Sequence, residues 1–200
     1  MTTIDIAAHE FAHAICQYTA DLVYQNESGA LNESLSDIWG VTVKHFADSA
    51  KNIWQIGDET GYVLRSMADP KFRYQPNTYL GAYWQTGSSD KGGVHTNSGV
   101  MNYWYYLLVQ GGSGLNDNGD GYSISGIGFE KAADIVYRLE TIYLTANSEY
   151  KDARRFSIQA TEDLFGENSF ELQQCLAAWD AVGVYDFESA PSPARPASAS

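Results

Sequence analysis

Residues 3–40 read TIDIAAHEFAHAICQYTADLVYQNESGALNESLSDIWG and combine two periodic apolar patterns with many ionisable side chains. Apolar residues from Ile4 to Tyr18 recur at three- and four-residue steps, which predicts a helix with Asp5 at its start. After the polar break QNESGA, residues 31–48 repeat the pattern and predict a second helix. Its apolar stripe consists of Leu31, Leu35, Ile38 and Val41. This stretch therefore predicts two helices joined by a short loop.

The rest of the chain predicts a mainly α, bundle-like domain with long ordered loops. Residues 56–99 are rich in Gly, Pro, Ser, Asp and Tyr, and residues 110–126 are rich in Gly, so both are predicted to be loops. Further helices are predicted at 96–109, 128–144, 148–165 and 169–182. Residues 188–200 are rich in Pro, Ala and Ser and are predicted to be a flexible tail behind a domain of residues 1–187.

Composition excludes several classes of partner. The net charge of -13 repels phosphate backbones, so we expect no nucleic-acid partner. No run approaches the roughly 18 apolar residues of a membrane span, and the start lacks the pattern of a signal peptide. Cys16 and Cys175 are not in a C-x-x-C pair, and a disulfide or two buried thiols are equally compatible with the sequence. The sequence does not define an oligomeric state.

His9, Glu10 and His13 form the motif H-E-x-x-H. On a helix, the four-residue spacing places both imidazoles on one face, where they can bind one metal ion. Catalytic zinc takes three protein ligands and keeps one position open, so a third ligand is needed. Glu33 on the second helix is the candidate. Glu10 lies beside the two histidines, where its carboxylate can take a proton from a water molecule that the metal activates.

The motif alone leaves a structural alternative open. Its three fixed positions occur by chance, and a solvated helix face carries the same residue types. Metal-bound imidazoles usually donate their second N–H to an oxygen, and Asn32 and Asp37 flank Glu33 with suitable oxygens. These two residues favour the metal site without deciding it.

Several further blocks occur in a fixed order along the chain. HEFAH and NESGALNESLSDIWG are followed by LRSMADP, DKGGVHTNSGVMN, GIG and WDAVGV. From Ile4 to Val184 the sequence resembles the thermolysin family of zinc metallopeptidases. The resemblance implies the helical C-terminal domain of a secreted endopeptidase that cuts peptide or protein substrates before bulky apolar residues.

The same resemblance assigns roles around the motif. Glu10 is implied to be the general base, and Asp37 and Asn32 the partners of the two zinc imidazoles. The implied zinc ligands are His9, His13 and Glu33.

Further roles fall outside the two helices. Tyr24 and His95 are implied to stabilise the oxyanion of the tetrahedral intermediate, where hydrogen-bond donors must face the developing charge. Asp90 is implied to orient His95, and Arg65 to bind the substrate carbonyl. The implied wall of the substrate pocket contains Leu64 and Ile6. Without the resemblance, Tyr24, His95 and Arg65 each favour a structural interpretation.

The sequence departs from the family where the resemblance implies paired calcium ions. Asp5 and Asp58 match ligands, but Lys44 stands at the position of a shared glutamate, and Ile53 and Gln55 replace acids. Calcium sites need several anionic oxygens, and a lysine ammonium can supply the missing positive charge instead. We therefore predict that the paired calcium site is absent.

Two other features lack an implied role. The loop NDNGDG at 116–121 resembles the start of a calcium-binding EF-hand loop, but Gly128 stands at the twelfth position, counted from Asp117, where a glutamate is needed. A glycine-rich turn is favoured, and a calcium-binding interaction module stays the alternative. His45 is expected to be exposed.

Only eight residues precede His9, so the β-rich N-terminal half of the family's cleft is expected to be absent. Two functions stay open. The chain is either a zinc-dependent endopeptidase domain or a folded zinc-binding fragment with little or no peptidase activity.

Overall fold

The structure is a computed structural model that describes residues 2–48 and 52–186. Within these ranges it is mainly α-helical, with seven α-helices. They are α1 (Ile4–Tyr18), α2 (Asn26–Ala47), α3 (Asp90–Asn97), α4 (Gly99–Gln110), α5 (Phe129–Arg138), α6 (Tyr150–Phe165) and α7 (Phe170–Ala181). A π-helical turn, Leu139–Tyr143, continues α5. The tail predicted at 188–200 lies outside the described residues.

Two short antiparallel pairs of strands complete the fold. Strands β1 (Gln55–Ile56) and β2 (Arg65–Ser66) pair within the long loop, which also contains 3₁₀ turns at Asp58–Thr60 and Pro70–Arg73. Strands β3 (Gly111–Leu115) and β4 (Gly121–Ser125) form a hairpin between α4 and α5. No helix of the described residues has the length and apolar character that a bilayer crossing requires.

Helix α2 forms the centre of the core. The predicted stripe is confirmed, because Leu31, Leu35, Ile38 and Val41 are all fully buried. The same helix buries polar side chains, among them Asn32, Glu33, Asp37 and Lys44. Beneath it, the indole rings of Trp104 and Trp179 stack with centroids 4.7 Å apart. A buried helix that carries ionisable groups must supply each of them with a partner.

Helix α1 has the predicted limits but exposes much of its apolar side. Its buried residues are Asp5, His9, Ala12 and Cys16, which face α2. Phe11 is 69% exposed and Tyr18 is 86% exposed, seven residues apart on the opposite side. Phe11 and Tyr18 therefore lie on the face of α1 that does not pack against α2.

The structure differs from the sequence predictions in three segments. Residues 110–126 are a hairpin and not a loop, which the glycine-rich sequence hid because glycine has low β propensity. The break QNESGA belongs largely to α2, which begins at Asn26; a Cβ on Gly29 would lie 2.4 Å from Val94, so only glycine fits this contact. The helix predicted at 96–109 is confirmed as α4 over residues 99–109, while its first two residues belong to the end of α3, which was not predicted.

Cys16 and Cys175 are buried free thiols, so the disulfide alternative is excluded for this structure. Burial raises the pKa of each thiol to about 11, and both stay protonated at neutral pH. His45 was predicted to be exposed, and this prediction was wrong. It is partly buried and stacks on Phe129, with ring centroids 3.9 Å apart and planes 11° apart.

The loop at 116–121 is the turn of the β3–β4 hairpin. Asp117 accepts hydrogen bonds from Lys71 at 2.5 Å and from the amide of Ala82 at 2.8 Å. Asp120 accepts from the hydroxyl of Tyr185. Both carboxylates are thus held by protein donors, which fits the favoured interpretation as a glycine-rich turn.

The Lys44 ammonium is fully buried between two carboxylates. Its Nζ lies 3.2 Å from Asp5 Oδ2, 2.6 Å from Asp58 Oδ1 and 3.0 Å from the carbonyl oxygen of Gln55. Asp5 Oδ2 also accepts the amide of Gly57 at 2.9 Å. This cluster joins the start of α1 to the end of α2 and to the loop after β1. It agrees with the idea that lysine replaces a cation here, while the absence of calcium stays a prediction.

Lys44→Met should lower the free energy of unfolding by about 3–5 kcal/mol, since it leaves Asp5 buried without a counter-charge. Chemical denaturation measures this change. The matched control is Lys131→Met, which removes an exposed ion pair with Glu171 and should have little effect. Equal effects of the two substitutions would contradict the prediction.

Glu140 makes stability depend on pH. Its side chain is 1% exposed, Oε2 accepts from Trp39 Nε1 at 2.7 Å, and Oε1 has no hydrogen-bond partner among the described residues. Burial raises the pKa of this carboxyl from 4.5 to about 7. Glu140 ionises in the unfolded chain first as pH rises, so the contribution of this residue to stability should fall between pH 4.5 and about 7 and then stay level.

Glu140→Gln removes that ionisation and should flatten this part of the pH profile. The melting temperature of the variant should exceed that of the wild type more at pH 8 than at pH 4.5. Glu130→Gln, at an exposed position on α5, is the control. Parallel profiles for wild type and Glu140→Gln would refute the assignment.

Candidate active site

Helices α1 and α2 bring His9, His13 and Glu33 together. The Nε2 atoms of the two histidines are 3.1 Å apart. Glu33 reaches between them, with Oε2 3.7 Å from His9 Nε2 and Oε1 3.5 Å from His13 Nε2. The predicted four-residue spacing on one helix and a carboxylate from the next helix thus meet within one cluster, whose candidate ligand atoms all lie within 4.8 Å of one another.

The second ring nitrogen of each histidine faces an oxygen. His9 Nδ1 lies 2.8 Å from Asp37 Oδ1, and His13 Nδ1 lies 2.6 Å from Asn32 Oδ1. Both oxygens are acceptors, so each Nδ1 carries the proton and each Nε2 presents a lone pair. Ser36, which no sequence motif selects, also lies 3.0 Å from His13 Nδ1.

These residues fit a bound cation. Two Nε2 lone pairs and a carboxylate converge in one place, and such groups repel one another without positive charge between them. Glu33 is buried, and its Oε2 has no hydrogen-bond partner among the described residues. Two imidazoles and one carboxylate, with room for a further ligand, are the donor set of a catalytic zinc site.

Asp37 is the buried anion behind His9. Arg65 donates to both of its oxygens, from Nε at 2.6 Å and from Nη2 at 2.7 Å, and Asn102 Nδ2 donates to Oδ2 at 2.8 Å. Burial alone would raise the pKa of Asp37, but the Arg65 guanidinium and His9 outweigh it and hold the pKa well below its usual range. Asp37 therefore stays ionised and fixes the orientation of His9.

None of the three predicted substrate residues is among the described residues that line the open cleft over this cluster. Arg65 instead donates two hydrogen bonds to Asp37. Leu64 is 43% exposed and Ile6 is partly buried on α1, and neither belongs to the described residues that line the cleft. The substrate roles of these three residues stay predictions.

An open cleft of about 570 Å³ lies over the cluster. Glu10 is exposed at its rim, next to the two histidines, as the motif predicts. Gln17 in the last turn of α1 also lines it, as do Asp21 and Leu22 just after that helix. No recognisable sequence motif marks these three residues. The cleft is therefore large enough for a segment of an extended chain.

Tyr24 and His95 meet at Glu33. The Tyr24 hydroxyl donates to Glu33 Oε1 and lies 3.1 Å from His95 Nε2, which is itself 3.3 Å from Glu33 Oε1. Asp90 Oδ1 lies 2.6 Å from His95 Nδ1, and Asp90 Oδ2 accepts the backbone amide of His95 at 2.9 Å. The structure thus places Tyr24 and His95 beside the cluster, and Asp90 contacts His95.

Tyr24 is a hydrogen-bond donor in this environment. Burial, together with the hydrogen bond to Glu33 and its charge, raises the pKa of Tyr24 well above its usual value. The phenol therefore keeps its proton at neutral pH. A neutral phenol beside an open cleft can donate to an oxygen atom that gains negative charge.

A helical domain that carries two histidines and a glutamate around one point, beside an exposed carboxylate, has the architecture of a metallopeptidase. Residues 20–184 match the family model described as thermolysin metallopeptidase, alpha-helical domain. The chain belongs to the thermolysin family of metallopeptidases, so the predicted resemblance and the mainly α fold are confirmed.

Particular relatives agree with the family. The chain is 45% identical over 188 residues to a bacillolysin of Bacillus caldolyticus and to a thermolysin of Alicyclobacillus acidocaldarius subsp. acidocaldarius. Each alignment covers 91% of this chain and 33% of the relative. The solved precursor of protealysin, a metalloproteinase from Serratia proteamaculans, superposes with a TM-score of 0.72 at 31% identity. That superposition covers 90% of this chain and 57% of the protealysin chain. The chain thus spans about a third of the length of the first two relatives.

The cluster should bind one zinc ion per chain at neutral pH, and binding should raise the melting temperature because only the folded chain presents the site. His13→Ala should weaken zinc binding by more than the roughly 10- to 100-fold loss typical of residues that only support ligands. Elemental analysis measures the zinc stoichiometry, competition with a chelator measures the affinity, and thermal unfolding measures the melting temperature.

His45→Ala is the control, because His45 stacks on Phe129 and is not part of the cluster. It should leave zinc stoichiometry unchanged. If wild type binds no zinc, or if His13→Ala binds it as tightly as wild type, the assignment of the cluster is wrong.

Proposed function

We propose that this chain is the zinc-carrying helical domain of a secreted endopeptidase that hydrolyses peptide bonds before bulky apolar residues. The observation that carries the proposal is the cluster of His9, His13 and Glu33 in an open cleft, with Glu10 at its rim. Membership of the thermolysin family supports it. Relatives named as proteases, such as the thermostable neutral protease of Geobacillus stearothermophilus at 45% identity, support it as well.

In this proposal His9, His13 and Glu33 hold zinc. A zinc ion supplies a Lewis acid that polarises a carbonyl group and makes water a better nucleophile at neutral pH. Asp37 and Asn32 fix the tautomers of the two histidines, so that both Nε2 lone pairs point into the cluster.

Glu10 acts as the general base and then as the general acid. Its carboxylate is exposed to the cleft directly beside His9, where it can accept a proton from the attacking water and deliver it to the leaving amine. A glutamine at this position keeps the shape of the side chain but cannot accept the proton.

Tyr24 and His95 act as donors to the carbonyl oxygen. As water adds to the carbonyl carbon, the oxygen gains negative charge, which hydrogen-bond donors placed in advance stabilise. Tyr24 donates its phenolic proton. Because Asp90 Oδ1 faces Nδ1 of His95, a donor role for Nε2 requires the imidazolium form, in which both ring nitrogens carry a proton. Asp90 Oδ2 also accepts the backbone amide of His95. The proposed role of Asp90 is to keep His95 in this orientation.

Arg65, Leu64 and Ile6 are proposed to contact the substrate. The two hydrogen bonds from Arg65 to Asp37 also make this arginine part of the support for His9. Its substitution would therefore affect the metal cluster and substrate binding together. The preference for bulky apolar residues rests on the resemblance, with Leu64 available at the surface.

The alternative is a folded zinc-binding fragment with little peptidase activity. One observation favours it: the cleft over the cluster is open, and Phe11 and Tyr18 leave one side of α1 exposed. Catalysis depends on a substrate held in one orientation, which an open cleft does less well. Peptides or proteins are the proposed substrates in either case.

Glu10→Gln decides between the two functions. With zinc bound, wild type should cleave casein or a furylacryloyl peptide at least about 100-fold faster than Glu10→Gln, because general acid–base catalysis contributes about that much or more. Both proteins should bind zinc equally. If wild type binds one zinc and cleaves no faster than Glu10→Gln, the peptidase proposal is wrong and the alternative stands.

A further inference from the structure

The first half of α3, which precedes His95, does not have the backbone angles of a right-handed α-helix. Four consecutive residues have positive φ, namely Asp90 at 52°, Lys91 at 49°, Gly92 at 89° and Gly93 at 81°. Glycine adopts such angles freely, whereas for a residue with a side chain this conformation costs roughly 1–2 kcal/mol. Asp90 and Lys91 therefore need contacts that offset this cost.

Close contacts hold the segment in place. A Cβ on Gly92 would lie 2.1 Å from Asn26 Oδ1, and a Cβ on Gly93 would lie 2.7 Å from the Gln85 side chain. Asn26 itself has a φ of 52°, two residues after Tyr24. The two irregular segments thus pack directly on each other, and this contact fixes where Lys91 lies relative to Tyr24.

The Lys91 ammonium rests on the aromatic face of Tyr24. Its Nζ is 4.6 Å from the ring centroid, within the range of a cation–π interaction. The adjacent carboxylate of Asp90 directs both of its oxygens to His95. Lys91 is exposed and forms no ion pair among the described residues. Its contact with the Tyr24 ring is therefore not imposed by a neighbouring carboxylate.

We propose that Lys91 is a positioning residue for Tyr24. Its ammonium holds one face of the ring while Glu33 and His95 hold the hydroxyl, so the phenol points in one direction before substrate arrives. A cation on the ring also draws electron density from it and makes the hydroxyl a stronger donor. The inference rests on the proposed function, in which Tyr24 donates to the carbonyl oxygen.

Three substitutions of Lys91 separate charge from backbone strain. Lys91→Met keeps the length of the side chain and loses the charge, Lys91→Arg keeps the charge, and Lys91→Gly loses both the side chain and the strain. Lys131→Met is the matched control, because it removes an exposed lysine charge that pairs with Glu171 on another part of the surface.

The first measurement is independent of catalysis. In the full chain without metal, relaxation of ¹³C-labelled tyrosine rings reports how fast the Tyr24 ring flips, with Tyr24→Phe used to assign its signals. Lys91→Met and Lys91→Gly should raise the flip rate about two- to fivefold, which corresponds to the strength of an exposed cation–π contact. Lys91→Arg and Lys131→Met should stay at the wild-type rate.

The second measurement is kinetic. With zinc bound, Lys91→Met and Lys91→Gly should lower kcat about two- to fivefold with KM unchanged, and Lys91→Arg should restore kcat. A loss confined to KM, or a Lys91→Arg variant as impaired as Lys91→Met, would overturn the proposal. So would a flip rate that is the same in wild type and in all three variants.

The two measurements also separate this inference from the proposed function. If wild type is no faster than Glu10→Gln, the proposed function fails, and the flip rates alone decide whether Lys91 positions Tyr24. If wild type is active but neither the flip rates nor kcat depend on the charge at position 91, the function stands and the role of Lys91 is refuted.

Discussion

The site depends on the interactions of one buried carboxylate, that of Asp37. It lies inside α2 and is matched by Arg65 from β2, Asn102 from α4 and His9 from α1. An unpaired charge at such a position would cost several kcal/mol, so each of these elements must occupy its place for the core to form. The orientation of the first histidine is thus determined by the packing of the whole domain.

The same rule operates at the start of α1. Asp5 is bound there by Lys44, one helical turn away from the contact of His9 with Asp37 and on the same face of α1. Two buried ionic contacts fix the rotation and the height of α1 against α2. His13 then meets Asn32, and Glu33 reaches between the two histidines. The cluster therefore follows from helix packing.

Features that depend on a periodic pattern or a short motif could be predicted from the sequence. The limits of α1, the buried stripe of α2 and the placement of His9 and His13 on one face depend on spacing along a helix, which the sequence shows directly. Glu33 on the next helix was a candidate third ligand, and the structure places it between the two histidines. Contacts between distant segments could not be predicted from the residues alone. Asn102 and Ser36 are ordinary polar residues until the fold places them at Asp37 and His13. Glycine also concealed the β3–β4 hairpin, because its permissive backbone gives no periodic pattern.

The Lys44 cluster has a consequence for how the domain responds to its medium. Its positive charge is covalently part of the chain and is present at unit stoichiometry whatever the concentration of dissolved ions. The chemical potential of free cations therefore does not enter the stability of this contact. A chelating agent can withdraw an ion held by His9, His13 and Glu33, yet it leaves the anchorage of α1 at Asp5 unchanged.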